Sequence, residues 1–432
     1  METVRYNFEK KCIGYLLKYY RKKRNIKIDD LLTKKGTYYY EYCTDCVKCK
    51  NKELVCSTKK LYSLERGEVS KNDCYYYRLA ENLDKKFVID RRLDNKRLNY
   101  QTSLVENIVN LSKRNLKRLA ALLENDLHEY SEVLYYGDIF SLYLDVINYY
   151  LYQKIPSVES IQLYLYLLEF IDDTNKKIAL TFLYEISYRV SSDVIDRSKI
   201  RECCKPYQDD ALFFKFKLEQ IVSQNYLDAF EQISQLEEKM GNNLTDYQKC
   251  LLLEYKAFIL MNADANEKSY NTMKQCLSVA VNNQGFSDYI VNSYYGKLGI
   301  VCFVVEKYDE VVECFNELVV KGAPIGPNYS LLFYSMSKCG LEHKIVDVMQ
   351  MVDKEYLRKP FVEKIFNYYS MKYTQKEFSK KDYILLENMI CFDIKPYLDM
   401  HGSLQKTIFT DELKFCVEKT GNYKKYYNFQ EN

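Results

Sequence analysis

The chain has no tryptophan, and its 432 residues include only six prolines, thirteen glycines and three histidines. So few backbone breakers favour long helices joined by short turns. The three histidines, His128, His343 and His401, stand in charged or turn-like surroundings with no Ser or Cys motif beside them. There is no G-x-x-x-x-G-K-[ST], no G-x-S-x-G, no H-E-x-x-H and no glycine-rich nucleotide loop, so no enzyme is expected. No run approaches the roughly 18 apolar residues of a membrane span, and METVRYNFEKK lacks the apolar stretch of a signal peptide. A cytoplasmic protein with no membrane partner is expected.

What is present is apolar, aromatic and unevenly charged. Hydrophobic residues make up 47% of the chain, enough for more than one buried core, and 44 of the residues are tyrosine. Fifteen cysteines, an odd number, stand mostly inside apolar segments such as GIVCFVV and read as core thiols. The net charge of +3 conceals a division. Residues 1–88 hold 21 Lys and Arg against 12 Asp and Glu, a net +9, whereas the remaining 344 hold 42 against 48, a net −6. Such segregation is expected when one part of a chain faces a polyanion and the rest does not.

The basic segment reads as four short helices. CIGYLLKYYRKKRN carries the stripe Ile13, Leu16, Leu17 and Tyr20, and KIDDLLTKK supplies a second helix with Asp29 and Asp30 in its first turn. Ser57 is placed to cap a third, TKKLYSLERG, closed by Gly67, and NDCYYYRLAENLDKKF makes a fourth. With Arg21 before the Asn25-Ile26 turn, Leu31-Leu32, Leu61, Leu64-Glu65-Arg66-Gly67 and Leu79-Ala80, this segment resembles the XRE, or lambda-repressor-like, helix-turn-helix domain. The resemblance implies double-stranded DNA as partner, with the third helix in the major groove. By position Thr58, Lys59, Tyr62 and Ser63 then face base edges, and Arg21, Lys60 and Arg66 face phosphates.

The segment departs from that family in one place: Thr37 to Val55 lengthen the connection between the second and third helices. YYYEYC and KELVC read as two short strands, hence a β-hairpin insert at 37–55. It carries Cys43, Cys46 and Cys49, and Cys56 follows it, a C-x2-C-x2-C-x6-C spacing. Three readings stay open: a structural Zn(II) held by the four thiolates, a hairpin with reduced cysteines, and a redox or iron–sulfur sensor. Cys56 also fits a core thiol, with Cys74 or Cys12 as a replacement ligand.

Residues 89–103 are charged and read as a linker or the start of a connecting helix. From 104 to 432 amphipathic helical segments follow one another, so the expected class is all-α. Paired segments begin near Ala211, Tyr247, Tyr289, Gly326 and Phe361, at spacings of 36, 42, 37 and 35 residues, the period of helix-pair solenoids. YYGKLGIVCFVVEKYDEVVECFNELV resembles a tetratricopeptide repeat through Leu298-Gly299, Tyr308 and Phe315. An XRE domain followed by such repeats resembles the RRNPP family of peptide-sensing, quorum-responsive transcription regulators. That layout implies a homodimer joined through residues 104–432 and a short signalling peptide, for which Asn292, Asn328 and Asn367 are candidate backbone partners. Two other readings are a protein-interaction scaffold built on the repeats and a metal- or thiol-responsive regulator using the insert.

Overall fold

A computed structural model describes residues 2–33, 54–223, 225–352, 357, 359–375, 377–401 and 403–430. The expected hairpin and Cys43, Cys46 and Cys49 therefore lie outside the described residues. Among the described residues the chain is helical, with no strand and two isolated bridges. One of these pairs Thr33 with Leu54 in antiparallel sense, and the Val55 N–H donates to Leu32 O at 2.8 Å. The described residues on either side of 34–53 therefore meet. No helix of the described residues is long and apolar enough to cross a membrane.

The chain forms two compact units, residues 1–217 and 218–432. The first begins with α1 (Glu2–Lys23), α2 (Ile28–Leu32), α3 (Thr58–Glu65) and α4 (Cys74–Glu81). Leu16 and Leu17 of α1, Leu31 of α2, Leu61 and Leu64 of α3 and Leu79 of α4 are fully enclosed and form one small core. α1 starts about ten residues before the apolar stripe read from the sequence. Its first turns bury Lys10, which donates to Ser70 O at 3.2 Å and is paired with Asp73, so a charged residue stands on the inner face. Asn82, just past α4, donates to Leu31 O at 2.6 Å and Thr33 O at 2.9 Å, satisfying carbonyls at the end of α2.

Six helices complete this unit: α5 (Arg91–Asn110), α6 (Lys113–Tyr130), α7 (Tyr136–Tyr152), α8 (Val158–Leu167), α9 (Asp173–Ile186) and α10 (Arg197–Cys204). Of the two readings of residues 89–103, a linker or the start of a connecting helix, the structure has the helix: most of the segment belongs to α5, capped by Asp90 and packed through Leu93, Arg97, Gln101 and Leu104. Arg97 is tolerated inside because Asp94, at 2.9 Å, and Asp172, at 3.2 Å, neutralise it. α1 also packs on this body. The Tyr15 and Phe170 rings stack at 4.9 Å, the Cys12 thiol donates to Phe170 O at 3.4 Å, and the Tyr20 hydroxyl donates to the buried Asp138 carboxylate.

α11 (Phe214–Val222) leads into the second unit, followed by α12 (Tyr226–Met240), α13 (Asp246–Asn262), α14 (Asn266–Asn282), α15 (Asp288–Val304), α16 (Tyr308–Val320), α17 (Tyr329–Lys338), α18 (Ile345–Met351) and α19 (Pro360–Thr374). The helix pairs start within three residues of the positions read from the sequence. α15 and α16 approach closely at Gly299, where a methyl group would stand 2.9 Å from the Phe315 ring. The unit ends with α20 (Lys380–Asn388), which runs through a π-helical turn, Met389–Ile394, into α21 (Lys395–His401), and then α22 (Ser403–Thr420) and α23 (Tyr423–Gln430).

Candidate nucleic-acid interface

α3 is held at both ends and along its inner side. The Ser57 hydroxyl accepts the Lys60 N–H at 3.2 Å, which caps the first turn. At the other end Gly67 takes φ +81°, its N–H donating to Leu64 O at 2.8 Å and the Glu68 N–H to Ser63 O at 3.0 Å. Those two bonds terminate the helix in a left-handed turn that glycine adopts without strain. A side chain at 67 would also strike the Tyr15 ring. Where α1 crosses α3, Gly14 brings the backbones together: a methyl group there would stand 2.1 Å from Leu64 O.

An ion pair adds to that contact. The Arg21 guanidinium donates to both Glu65 carboxylate oxygens, at 2.6 and 2.8 Å, and the Glu65 side chain is only 3% exposed. This planar two-point pairing fixes the end of α1 against the end of α3. Asn25, at φ 52°, ends α1, with the Ile26 N–H donating to Arg21 O at 3.0 Å. Arg21 therefore serves the frame of the domain, and its charge is committed to Glu65 instead of being held out to a phosphate.

The outer face of α3 has a different character. Thr58, Lys59 and Tyr62 are exposed, as is Arg66 at the C-cap, and Lys60 is half-buried. The first turn holds two lysines, Lys59 and Lys60, and no carboxylate, so no acid offsets the positive end of the helix. Arg66 pairs with Glu68 at 3.2 Å across open solvent. Ser63 turns inward instead, buried and donating its hydroxyl to Glu68. Of the seven residues assigned to DNA, five remain on or near the open face, while Arg21 and Ser63 are engaged within the fold.

No family model, curated protein or solved structure matches this chain. The resemblance to helix-turn-helix regulators therefore rests on the residues named above.

The remaining assigned residues are dispersed. Cys56 is a free, buried thiol pushed up to about 11 by its burial. Cys12 is likewise buried and its thiol is pushed further up by desolvation. Cys74 is disulfide-bonded. Among the described residues no three His, Cys, Asp or Glu side chains converge on a common point. In the second unit Asn292 is half-buried on α15 with an unbonded Oδ1, Asn328 precedes α17, and Asn367 is exposed on α19. A cavity of about 400 Å³ in that unit is lined by residues of α17, α19, α20 and α22, by Glu342 after α17 and by Phe378 before α20, and by none of these asparagines. Its aromatic walls had no sequence signal, because tyrosine is common along the whole chain.

Proposed function

We propose that the protein is a sequence-specific DNA-binding transcriptional regulator in which α3 enters the major groove. The observation that carries this reading is the two-sided character of α3. Its inner side is fixed to α1 by Gly14 and the Arg21–Glu65 pair. Its outer side offers Lys59, Thr58 and Tyr62 with no acid in the first turn. Lysine donates to guanine O6 and N7, and threonine bonds to bases or phosphates, so this face carries chemistry suited to base edges. The net +9 of residues 1–88 supplies the general attraction for the phosphate backbone.

In this reading the helical repeats resemble tetratricopeptide pairs, join two copies of the chain, and receive a short signalling peptide. Two copies then address half-sites about one helical turn, or a multiple, apart. Footprinting the tagged full-length protein on genomic DNA tests the reading. Protected sites should share a two-fold-symmetric sequence, and the Lys59→Ala variant should lose them. Uniform recovery of the genome, unaltered by the substitution, would refute base reading by α3.

A further inference from the structure

The cavity of the second unit is lined by aromatic rings and by side chains of both signs of charge. Its volume, about 400 Å³, suits one or two amino-acid residues and not an extended chain. Lys372 of α19 reaches it with a side chain only 14% exposed, paired with Glu412 of α22. Glu412 also accepts the Tyr368 hydroxyl at 2.8 Å, so this carboxylate is doubly satisfied. An ammonium group has three donors; Glu412 takes one and the Tyr373 oxygen engages another, which leaves one. The Tyr373 hydroxyl also lines the cavity, beside Ser337. Burial raises its pKa, so it keeps its proton and stays a donor. A buried ammonium and a protonated phenol lining one space are complementary to a carboxylate.

The same cavity is lined by Asp411, an exposed carboxylate that accepts the Tyr334 hydroxyl at 2.7 Å, and by Glu342, which accepts the Ser337 hydroxyl at 3.3 Å. A carboxylate has about four acceptor positions, so both retain capacity for an ammonium group. The apolar wall comes from Phe378, Tyr383 and Phe415, with Phe378 and Tyr383 at 5.2 Å and Tyr383 edge-on to Phe415 at 6.0 Å. Phe415 is 40% exposed. Rings in such tilted and edge arrangements leave faces and edges against which a further ring can lie.

We infer that this cavity binds a small aromatic zwitterion, a free aromatic amino acid or a dipeptide ending in one. Its carboxylate meets Lys372 and Tyr373, its ammonium meets Asp411 and Glu342, and its ring lies against Phe378, Tyr383 and Phe415. Occupancy itself does not depend on the DNA-binding reading; only its effect as a signal does, so binding is measured without DNA.

The test is calorimetry and thermal shift on the full-length protein with L-phenylalanine, L-phenylalanyl-L-phenylalanine and N-acetyl-L-phenylalanine amide. At least one of the two zwitterions should bind, and the blocked amide should bind at least about tenfold more weakly, because it offers no charge to either end of the site. Phe415→Ala, at an exposed position, should fold normally and weaken binding by about tenfold. Lys372→Met, which strands Glu412, is replaced by Tyr373→Phe if it fails to fold, and that variant should also weaken the zwitterion selectively. Equal binding of the blocked amide, unchanged binding by Phe415→Ala and Tyr373→Phe, or no binding by either zwitterion would overturn the assignment.

Discussion

Arg21 and Lys59 are both basic, both near α3, and have opposite parts in this account. Arg21→Ala leaves Glu65 buried without its partner and should cost about 3 kcal/mol of stability, read from denaturant unfolding. Lys59→Ala removes an exposed side chain and should change stability by less than about 0.5 kcal/mol. The two outcomes reversed would mean that the brace and the reading face have been exchanged. Cys56 gives a second test at this scale. Burial raises its thiol from 9.0 to about 11, so the unfolded chain loses that proton first as pH rises. This group's contribution to stability is therefore intact below about pH 9 and declines between about pH 9 and about pH 11. Urea unfolding across that range should show a shallower decline for Cys56→Ala than for the parent. Parallel curves would contradict burial of that thiol.

Among the elements, the short ones near α3 were readable because each obeys a local rule. Ser57 caps, Gly67 closes in a left-handed turn, and Leu61 and Leu64 face inward, all from spacing alone. The same holds for the helix pairs of the second unit. Two stretches are less legible for one shared reason. The start of α1 and most of α5 bury charged residues, Lys10 and Arg97, on their inner faces, and a pattern of apolar positions cannot register a charge that is neutralised by Asp73 or by Asp94 and Asp172. The place of Ser63 on α3 suggests a DNA contact from sequence, whereas in the fold the turn at Gly67 brings Glu68 back to accept its hydroxyl. The α1–α3 contact itself is testable. Gly14→Ala places a methyl group against a backbone oxygen, which cannot rotate away, and should cost about 3 kcal/mol in thermal or denaturant unfolding. A neutral substitution would show that the two helices stand farther apart than the structure has them.

For the whole molecule, the charge division of the chain and the two-sided α3 support the proposal that the open face of α3 reads DNA sequence. The aromatic cavity of the second unit is a separate feature that no local sequence rule revealed, since its walls come from α17, α19, α20, α22 and the turn between α19 and α20. The most direct measurement of the central claim is a titration of the full-length protein and its Lys59→Ala variant on two duplexes, a footprinted site and its scrambled counterpart, over a range of salt. The parent should prefer the site, and Lys59→Ala should lose about 1–3 kcal/mol on that site with little change on the scrambled duplex. Equal losses on both duplexes, or a parent protein that does not distinguish them, would contradict the account.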